Sequence, residues 1–432
     1  MKKKTRTTVS GLSRREFVKA SAAVGAGVLA SGTSRMYAAG SDKIRLGLIG
    51  CGGRGRHDGS NCLNAATNVE LAAMGDLFKD QLVSGRNMFE KNLPDKVKVT
   101  DDTCFAGWDA FKKVLACDVD MVILTTPPHF RPEHLRAAVE AGKHVFMEKP
   151  VAVDPVGVRS VIESSEIAEK KGLTIVAGTQ MRRVAHLMEA VKRIDNGDIG
   201  QIVGGQCVRL GDGMMGWGPT PRKPEWTDME WQLRRWLFLT WLSGDFIAEM
   251  HVHNLDIMNW ILGGPPVQCV GMGGREVRTG PEYGNVYDHF SVEYEYPGGV
   301  RIEYMGSQID GVTDRCDQWI VGTKGKAYLD FANAIFEGEK PFKYDGPAWN
   351  PELKQHADQI SAIRDGKRLN EGRRIAESSL TSIMGRMSAY TGRALKWDWA
   401  MKASKLDLRP EKYEFGDLEM QPVAIPGKTP LI

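Results

Sequence analysis

The sequence predicts an α/β fold in which a doubly wound parallel sheet is followed by an α+β domain with a large, mostly antiparallel sheet. Between residues 43 and 178, short apolar strands alternate with helical segments, which is the pattern of a parallel sheet with helical connections. After residue 200, strands come in neighbouring pairs separated by glycine-containing turns such as Pro297-Gly298-Gly299. Turns of this kind are typical of antiparallel hairpins.

These patterns divide the chain into four segments. Residues 1–40 form a leader, 41–178 the parallel-sheet domain, 179–395 the α+β domain, and 396–432 a C-terminal tail that is irregular past Lys402. The chain has 432 residues, of which 42% are hydrophobic and 26% charged. It is therefore long enough for two domains with real cores, and its composition is that of an ordinary globular protein.

The positive charge of the chain is concentrated in the leader. Residues 1–40 contain eight lysines and arginines and one glutamate, whereas the whole chain has a formal net charge of only +3, so the remainder is net acidic. A basic surface for nucleic acid is therefore not indicated. The seven cysteines are scattered and contain no CxxC pair, so neither a disulfide framework nor a zinc site is expected.

The leader also carries a recognisable motif. A basic start leads into Ser13-Arg14-Arg15-Glu16-Phe17, then a mildly apolar stretch from Ala20 to Ala30 and small residues at Ala38-Ala39-Gly40. This resembles a twin-arginine export signal, which implies the twin-arginine export machinery as a partner and a periplasmic or otherwise exported protein. The apolar stretch is too short for a membrane span, so no stable membrane insertion is expected. A disordered basic tail is the alternative interpretation.

A glycine-rich turn follows the first predicted strand. The spacing Gly50-x-Gly52-x-x-Gly55, with Gly53 and Arg54 inside it, opens a predicted helix. Glycines at these positions let the backbone approach a pyrophosphate, and the helix N-terminus offers N–H groups, so the turn predicts a dinucleotide-binding Rossmann domain.

An acid at the end of the second predicted strand completes the expected cofactor site. Asp76 stands where a carboxylate accepts hydrogen bonds from the adenosine ribose. A carboxylate there would repel the 2′-phosphate of NADP, which favours NAD, while the cations Arg54 and Lys79 keep NADP as the alternative.

Two further motifs are distinctive. One combines Thr125-Thr126-Pro127-Pro128-His129 with Glu148-Lys149-Pro150, and the other is Trp260-Ile261-Leu262-Gly263-Gly264-Pro265-Pro266. Together, over about residues 43–395, they resemble the Gfo/Idh/MocA family, the relatives of glucose–fructose oxidoreductase and inositol dehydrogenase. The resemblance implies an active site in the cleft between two domains and nicotinamide-dependent oxidation or reduction of a hydroxyl on a sugar or cyclitol. It also implies a homo-oligomer, formed through the outer face of the second sheet.

Lys149 matches the catalytic lysine of that family. A lysine at the carboxyl end of a strand lies where open α/β sheets bind ligands, and it could hold or relay the hydroxyl proton. The neighbouring motif residues are candidate cofactor contacts together with Lys149 itself: Thr125, Thr126, Pro127, His129 and Glu148.

A predicted helix from Phe246 to Leu262 supplies a second group of polar residues. Glu249, His253 and Asp256 are spaced i, i+4 and i+7, so they share one helix face. His253 matches the family's active-site histidine, and Glu249 replaces the usual aspartate, which leaves the identity of the base open. His251 lies about 200° around the helix from His253, so no metal is expected.

Several residues are candidate substrate contacts. Gln180 and Arg182 resemble the family's polar pair at the domain junction, and Asp256 joins them. Five tryptophans precede the helix at positions 217, 226, 231, 236 and 241. Aromatic faces stack on sugar rings, which makes Trp231 a candidate, although core packing explains the cluster equally well.

Three functions remain open from the sequence. The first is an NAD(P)-dependent dehydrogenase or keto-reductase acting on a sugar, glycoside or cyclitol. The second is a glycoside hydrolase or lyase that uses transient oxidation and recycles its bound NAD, as some relatives do. The third is a non-catalytic sugar-binding protein, against which the intact glycines, Lys149 and His253 argue.

Overall fold

Six parallel strands form the first sheet, in the order β3-β2-β1-β4-β5-β6. The computed structural model describes residues 42–213 and 222–432, so the predicted export signal and Trp217 lie outside the described residues. The strands of this sheet are β1 Ile44–Ile49, β2 Val69–Asp76, β3 Cys104–Ala106, β4 Met121–Leu124, β5 His144–Met147 and β6 Ile175–Ala177. Their buried apolar residues explain the continuous apolar runs in the sequence.

Helices connect these strands. They are α1 Gly53–Ala65, α2 Lys79–Asn92, α3 Ala110–Ala116, α4 Arg131–Glu140 and α5 Pro155–Lys171. The bounds of α5 follow from its sequence: the Asp154 side chain accepts from the Gly157 amide at 2.7 Å, Pro155 occupies the first turn, and Gly172 ends the helix at φ +68°.

Nine strands form the second sheet, in the order β14-β13-β12-β11-β7-β10-β9-β8-β15. The strands are β7 Ile202–Leu210, β8 Gln268–Gly274, β9 His289–Tyr296, β10 Val300–Ser307, β11 Arg315–Gly322, β12 Gly325–Asp330, β13 Ala334–Gly338, β14 Phe342–Lys343 and β15 Leu395–Lys396. Strands β7 and β10 pair in parallel, and the other pairs are antiparallel. The predicted fold class is therefore confirmed.

The remaining helices pack around this sheet. They are α6 Ala185–Asp195, α7 Asp228–Arg234, α8 Thr240–Ser243, α9 Phe246–Glu249, α10 Val252–Ile261, α11 Pro351–Arg364, α12 Gly372–Thr391 and α13 Trp397–Lys402. Helix α12 packs against α5 of the first sheet and against β8 of the second. Because it contacts elements of both sheets, helix α12 is almost completely buried.

The predicted continuous helix from Phe246 to Leu262 is wrong. It is interrupted at Met250 and His251, which separate α9 from α10. The Glu249 carbonyl accepts a hydrogen bond from the Lys149 ammonium group, so it is engaged outside the helical ladder. Glu249 therefore ends one helix, and His253 lies in the first turn of the next.

The tail after α13 has no helix or strand, as predicted, yet it packs along the molecule. The hydroxyl of Ser404 donates to the carbonyl of Ile432 at 2.7 Å, and the Tyr287 hydroxyl donates to the carbonyl of Ala424 at 2.9 Å. Within residues 42–213 and 222–432, no helix is both long and apolar enough to cross a membrane.

Candidate active site

The glycine turn lies at the carboxyl end of β1. Gly50 has φ +97°, and a Cβ at Gly55 would stand 1.9 Å from the Gly50 carbonyl oxygen, so neither position accepts a side chain. The Thr125 hydroxyl donates to the Gly50 carbonyl at 2.7 Å and holds the turn from β4. Around Gly53, where α1 begins without a side-chain cap, a Cβ would meet nothing within 4 Å. The turn therefore fits a pyrophosphate approaching the helix N-terminus.

Asp76 lies beside this turn. Its two carboxylate oxygens accept from the Cys51 amide at 2.6 Å and the Phe78 amide at 2.8 Å. Burial raises the pKa of Asp76, and these two amides oppose the shift. The carboxylate is thus fixed at the carboxyl end of β2, which is where the ribose of NAD binds in this fold.

Arg54 pairs with protein carboxylates. Its Nε and Nη2 donate to Glu148 Oε1 at 3.0 and 2.8 Å, and Nη1 donates to Glu352 at 3.3 Å. Burial would raise the pKa of Glu148, but Arg54, Lys149 and Arg131 lower it to about 2. The charge of Arg54 is therefore matched by Glu148, which weakens its sequence-based support for a 2′-phosphate.

Lys149 and Glu249 form a buried ion pair between the two sheets. The Lys149 Nζ lies 3.0 Å from Glu249 Oε1, and the two side chains are 11% and 9% exposed. Burial raises the pKa of Glu249, and the positive charge of Lys149 opposes this shift. Glu249 Oε2 is buried and has no hydrogen-bond partner among the described residues. A substrate hydroxyl is a group that could satisfy this oxygen.

His253 lies in the same region, with a buried Nδ1 that also lacks a partner within the described chain. Its ring lines a cavity together with Met181, Asn254, Cys316 and Phe331. Burial, followed by the charge of Lys149, lowers the pKa of His253 well below its usual value. The imidazole is therefore neutral near pH 7, and its free ring nitrogen can accept a hydrogen bond from a ligand hydroxyl.

His251 belongs to a different environment. Its Nδ1 lies 2.6 Å from the Tyr304 hydroxyl on β10, and its ring packs edge-on against Phe246. In the part of the chain that the structure describes, no group of three or more His, Cys, Asp or Glu side chains could hold a metal ion.

Asp256 and Arg182, both predicted substrate contacts, bind each other. Arg182 donates to the Asp256 carboxylate at 2.8 and 3.0 Å, and Arg374 and Ser378 donate to the same carboxylate at 3.1 and 2.7 Å. The two arginines outweigh burial and lower the pKa of Asp256. Gln180 keeps a buried side-chain oxygen without a described partner. Of this group, Gln180 is therefore the residue with hydrogen-bonding capacity left for a ligand.

The other predicted contacts lie near the carboxyl end of β4. The Thr126 hydroxyl contacts His134 Nδ1 at 3.1 Å, next to Pro127. His129 Nε2 lies 2.7 Å from the Tyr413 hydroxyl, and burial lowers the pKa of His129 to about 4.

The indole N–H of Trp231, on helix α7, is buried without a described partner. Trp231 therefore keeps a donor for a ligand, and His129 keeps a buried Nδ1 without a described partner, whereas the Thr126 hydroxyl already has a protein partner.

Two partners in the site escaped the sequence analysis. Arg374 lies 118 residues from Asp256, and Tyr413 lies 284 residues from His129. No spacing rule connects positions so far apart. The sequence offered only weak signals for these two contacts, namely an arginine at the start of α12 and aromatic residues in the C-terminal tail.

Family models match both halves of the described chain. Residues 44–179 match the model described as "Oxidoreductase family, NAD-binding Rossmann fold", and residues 187–328 match the GFO/IDH/MocA C-terminal domain. The two matches together span more than half of the chain. The chain belongs to the Gfo/Idh/MocA family. The predictions of an enzyme of the oxidoreductase class and of an NAD-binding domain are therefore confirmed.

Curated relatives in this family share a quarter or slightly more of their aligned residues with the chain. The 2,7-anhydro-N-acetylneuraminate hydratase of Escherichia coli is 29% identical over 181 residues, covering 42% of this chain and 44% of that protein. Inositol 2-dehydrogenase of Serratia proteamaculans is 26% identical over 296 residues, covering 68% of this chain and 75% of that protein. The chain thus spans less than half of the hydratase but most of the dehydrogenase.

Solved structures agree in fold. Levoglucosan dehydrogenase in complex with NADH and levoglucosan superposes with a TM-score of 0.65 at 16% identity, covering 82% of this chain and 99% of that one. The aldose-aldose oxidoreductase of Caulobacter crescentus gives a TM-score of 0.64 at 18% identity, again covering 82% and 99%. At this level of identity, the likeness concerns the fold alone.

Gly55→Ala is expected to weaken NADH binding by at least about tenfold, because the added Cβ would force the turn to open, at a cost typical of overpacking. Lys170→Ala, at an exposed position at the end of α5, is the control and should bind NADH as the wild type does. Fluorescence titration with NADH measures both affinities, and thermal unfolding checks that each variant is folded. Equal affinities for the two variants would contradict the assigned turn.

The His253 ring is expected to stay neutral as the pH falls from 8 to about 6.5, because burial and the Lys149 charge disfavour the imidazolium ion. NMR titration of the histidine ring carbons measures this, and the signal missing from His253→Gln identifies the residue. A midpoint for that signal at or above about 6.5 would show that the assigned environment is wrong.

Proposed function

We propose that this protein is a dehydrogenase or keto-reductase that acts on a CH–OH group of a sugar, glycoside or cyclitol. The observation that carries the proposal is the buried Lys149–Glu249 pair, whose lysine follows β5 of the parallel sheet and is close enough to His253 to lower the pKa of its ring. The inositol 2-dehydrogenases among its relatives support an alcohol substrate with several hydroxyls.

NAD, when held by the glycine turn and Asp76, would supply the hydride acceptor for the alcohol carbon. Two of the three N–H donors of Lys149 go to Glu249, to its carbonyl and its carboxylate. Among the described residues, the third N–H of Lys149 has no hydrogen-bond partner, so it would donate to the oxygen of the reacting hydroxyl. Glu249 Oε2 would accept a neighbouring hydroxyl of the substrate, since a buried oxygen without a partner costs free energy until it is satisfied.

The proton released from the alcohol needs an acceptor. His253 is neutral, and its Nδ1 has no partner among the described side chains, so it would accept a hydrogen bond from the reacting hydroxyl at that atom. It would hold the released proton only transiently, because burial and the charge of Lys149 disfavour the imidazolium ion. Glu249 remains the alternative acceptor, because burial raises the pKa of its carboxyl group. Gln180, with its own unsatisfied oxygen, would contact a further hydroxyl.

A second candidate function is cleavage of a sugar bond through transient oxidation, with the NAD recycled on the enzyme. This second function is supported by the relative named 2,7-anhydro-N-acetylneuraminate hydratase, because a hydratase catalyses a reaction without net oxidation of its substrate. The same Lys149, Glu249 and His253 would serve both reactions. The two candidates differ in whether NADH accumulates.

We also propose export through the twin-arginine pathway, on the basis of Ser13-Arg14-Arg15-Glu16-Phe17 and the apolar stretch after it. This route carries folded proteins, which suits a chain that takes up its cofactor in the cytoplasm. The periplasm or the outside of the cell would then be its place of action.

The test of the proposed reaction is incubation with NAD and a panel of sugars, glycosides and cyclitols, with NADH followed by absorbance and products by mass spectrometry. A keto product with matching NADH is expected. Lys149→Ala should lower kcat/KM by about 10²–10⁴-fold, the range for a group that assists proton transfer. The control is Lys170→Ala, an exposed lysine at the end of α5, which should leave the rate unchanged.

The other outcomes each identify another function. Cleaved or rearranged products without NADH accumulation would replace the dehydrogenase by the self-recycling reaction. Tight NADH binding with no turnover of any substrate would instead support a sugar-binding protein.

The double substitution Arg14→Lys with Arg15→Lys is expected to keep the precursor in the cytoplasm, because the export receptor reads the arginine pair. Cell fractionation and blotting with an antibody measure the location. Arg35→Lys, which lies outside the pair, is the control and should be exported like the wild type. Export of the double variant would exclude this pathway.

A further inference from the structure

We propose that residues 405–421, here called the C-terminal strap, are part of the cofactor site and slow the release of NAD(H) by covering its adenosine end. The proposal rests on the NAD-binding domain and not on which sugar is oxidised. It adds to the proposed function a means of keeping the cofactor on the protein.

The strap is tied to the first sheet at two positions. The Leu408 amide donates to the Asp154 carboxylate at 2.9 Å, at the start of α5. The Tyr413 hydroxyl lies 2.7 Å from His129 Nε2, directly after β4. These bonds join the strap to two connections that follow the carboxyl ends of strands.

The aromatic side chains of the strap cover the neighbouring strand ends. The ring of Phe415 lies 6.1 Å from that of Phe78, which follows β2, and 5.4 Å from that of Trp108, which follows β3. Tyr413 lies 5.9 Å from Trp108 and 5.9 Å from Phe130. The strap thus crosses the edge of the sheet where dinucleotides bind in this fold.

The position of Phe78 identifies the part of the cofactor that is covered. It is two residues beyond Asp76, and its amide donates to that carboxylate at 2.8 Å, so it stands next to the expected ribose site. Phe415 on the strap remains 45% exposed. A flat, largely apolar base such as adenine could stack on these rings and bury them further.

Helix α7 secures the far side of this cover. Arg234 donates to the Asp80 carboxylate at 3.1 and 3.2 Å, and its guanidinium lies 4.0 Å from the centre of the Phe78 ring. The same helix binds the strap, because the Met229 amide donates to the Gly416 carbonyl at 3.1 Å and the Gln232 side chain donates to the Leu418 carbonyl at 2.8 Å. The strap and α7 therefore close over the loop after β2 as one unit.

The strap's effect would be kinetic. The glycine turn and Asp76 supply the contacts that bind the dinucleotide, whereas the strap would have to move before the adenosine end can leave. An exported enzyme would benefit, since it would keep the cofactor that it took up before export.

The test measures NADH release from the full chain without any sugar. Protein loaded with NADH is mixed with excess NAD, and the loss of NADH fluorescence gives the release rate. Phe415→Ala should raise that rate by about tenfold, the loss expected for one aromatic stacking contact. Tyr413→Phe, which removes the bond to His129 but keeps the ring, should raise it by a smaller factor.

Ile425→Ala is the matched control, because it shortens another exposed apolar side chain of the tail, outside the strap. It should release NADH at the wild-type rate, and thermal unfolding should show all three variants folded. Unchanged release in both strap variants would overturn the proposal. Faster association with unchanged release would also overturn it, because the strap would then hinder entry. Loss of NADH binding in the wild type would contradict the NAD site instead.

Discussion

The site depends on one buried ion pair. Lys149 comes from the end of β5 in the parallel sheet, and Glu249 comes from the short helix α9 beside the second sheet. The attraction between two buried charges offsets the cost of removing them from water, and removing one partner typically costs about 3–5 kcal/mol because the other charge is left unpaired. The pair therefore has a structural role in addition to supplying the amine of Lys149. It fixes the distance between the two halves of the site and accounts for the interruption of the helix before His253.

Two further charged groups near the site are already paired with protein groups. Arg54 is matched by Glu148 and Glu352, and Asp256 is matched by two arginines. What remains is a small set of buried polar atoms without described partners, which includes Glu249 Oε2, His253 Nδ1 and the Gln180 side-chain oxygen. Buried polar atoms are nearly always satisfied in folded proteins, so these atoms mark where substrate or ordered water belongs. Each of these atoms can exchange a hydrogen bond with a hydroxyl group, which supports the proposed substrate class.

The sequence was informative wherever a property is local. The glycine turn and Asp76 were placed correctly at strand ends, because short apolar runs and turn residues act over a few positions. It was misleading at Asp256, whose helical spacing from Glu249 suggested a shared face toward substrate. Arg374, which lies in a helix more than a hundred residues later, donates a hydrogen bond to that carboxylate. Spacing along one element says nothing about what a distant element brings to it.

The position of the C-terminal tail also depends on contacts that local sequence patterns do not predict. Its sequence lacks periodicity, so it was predicted to be irregular, and it is. Irregular backbone can nevertheless be held in place when its side chains are buried and its polar groups are paired. Leu408, Leu418 and Met420 pack against an apolar cluster formed by residues 229–242 and Val286, and the bonds to Asp154 and His129 fix the direction of the chain. A segment without secondary structure thus becomes a wall of the cofactor site, because long-range contacts, which no local pattern encodes, determine where it lies.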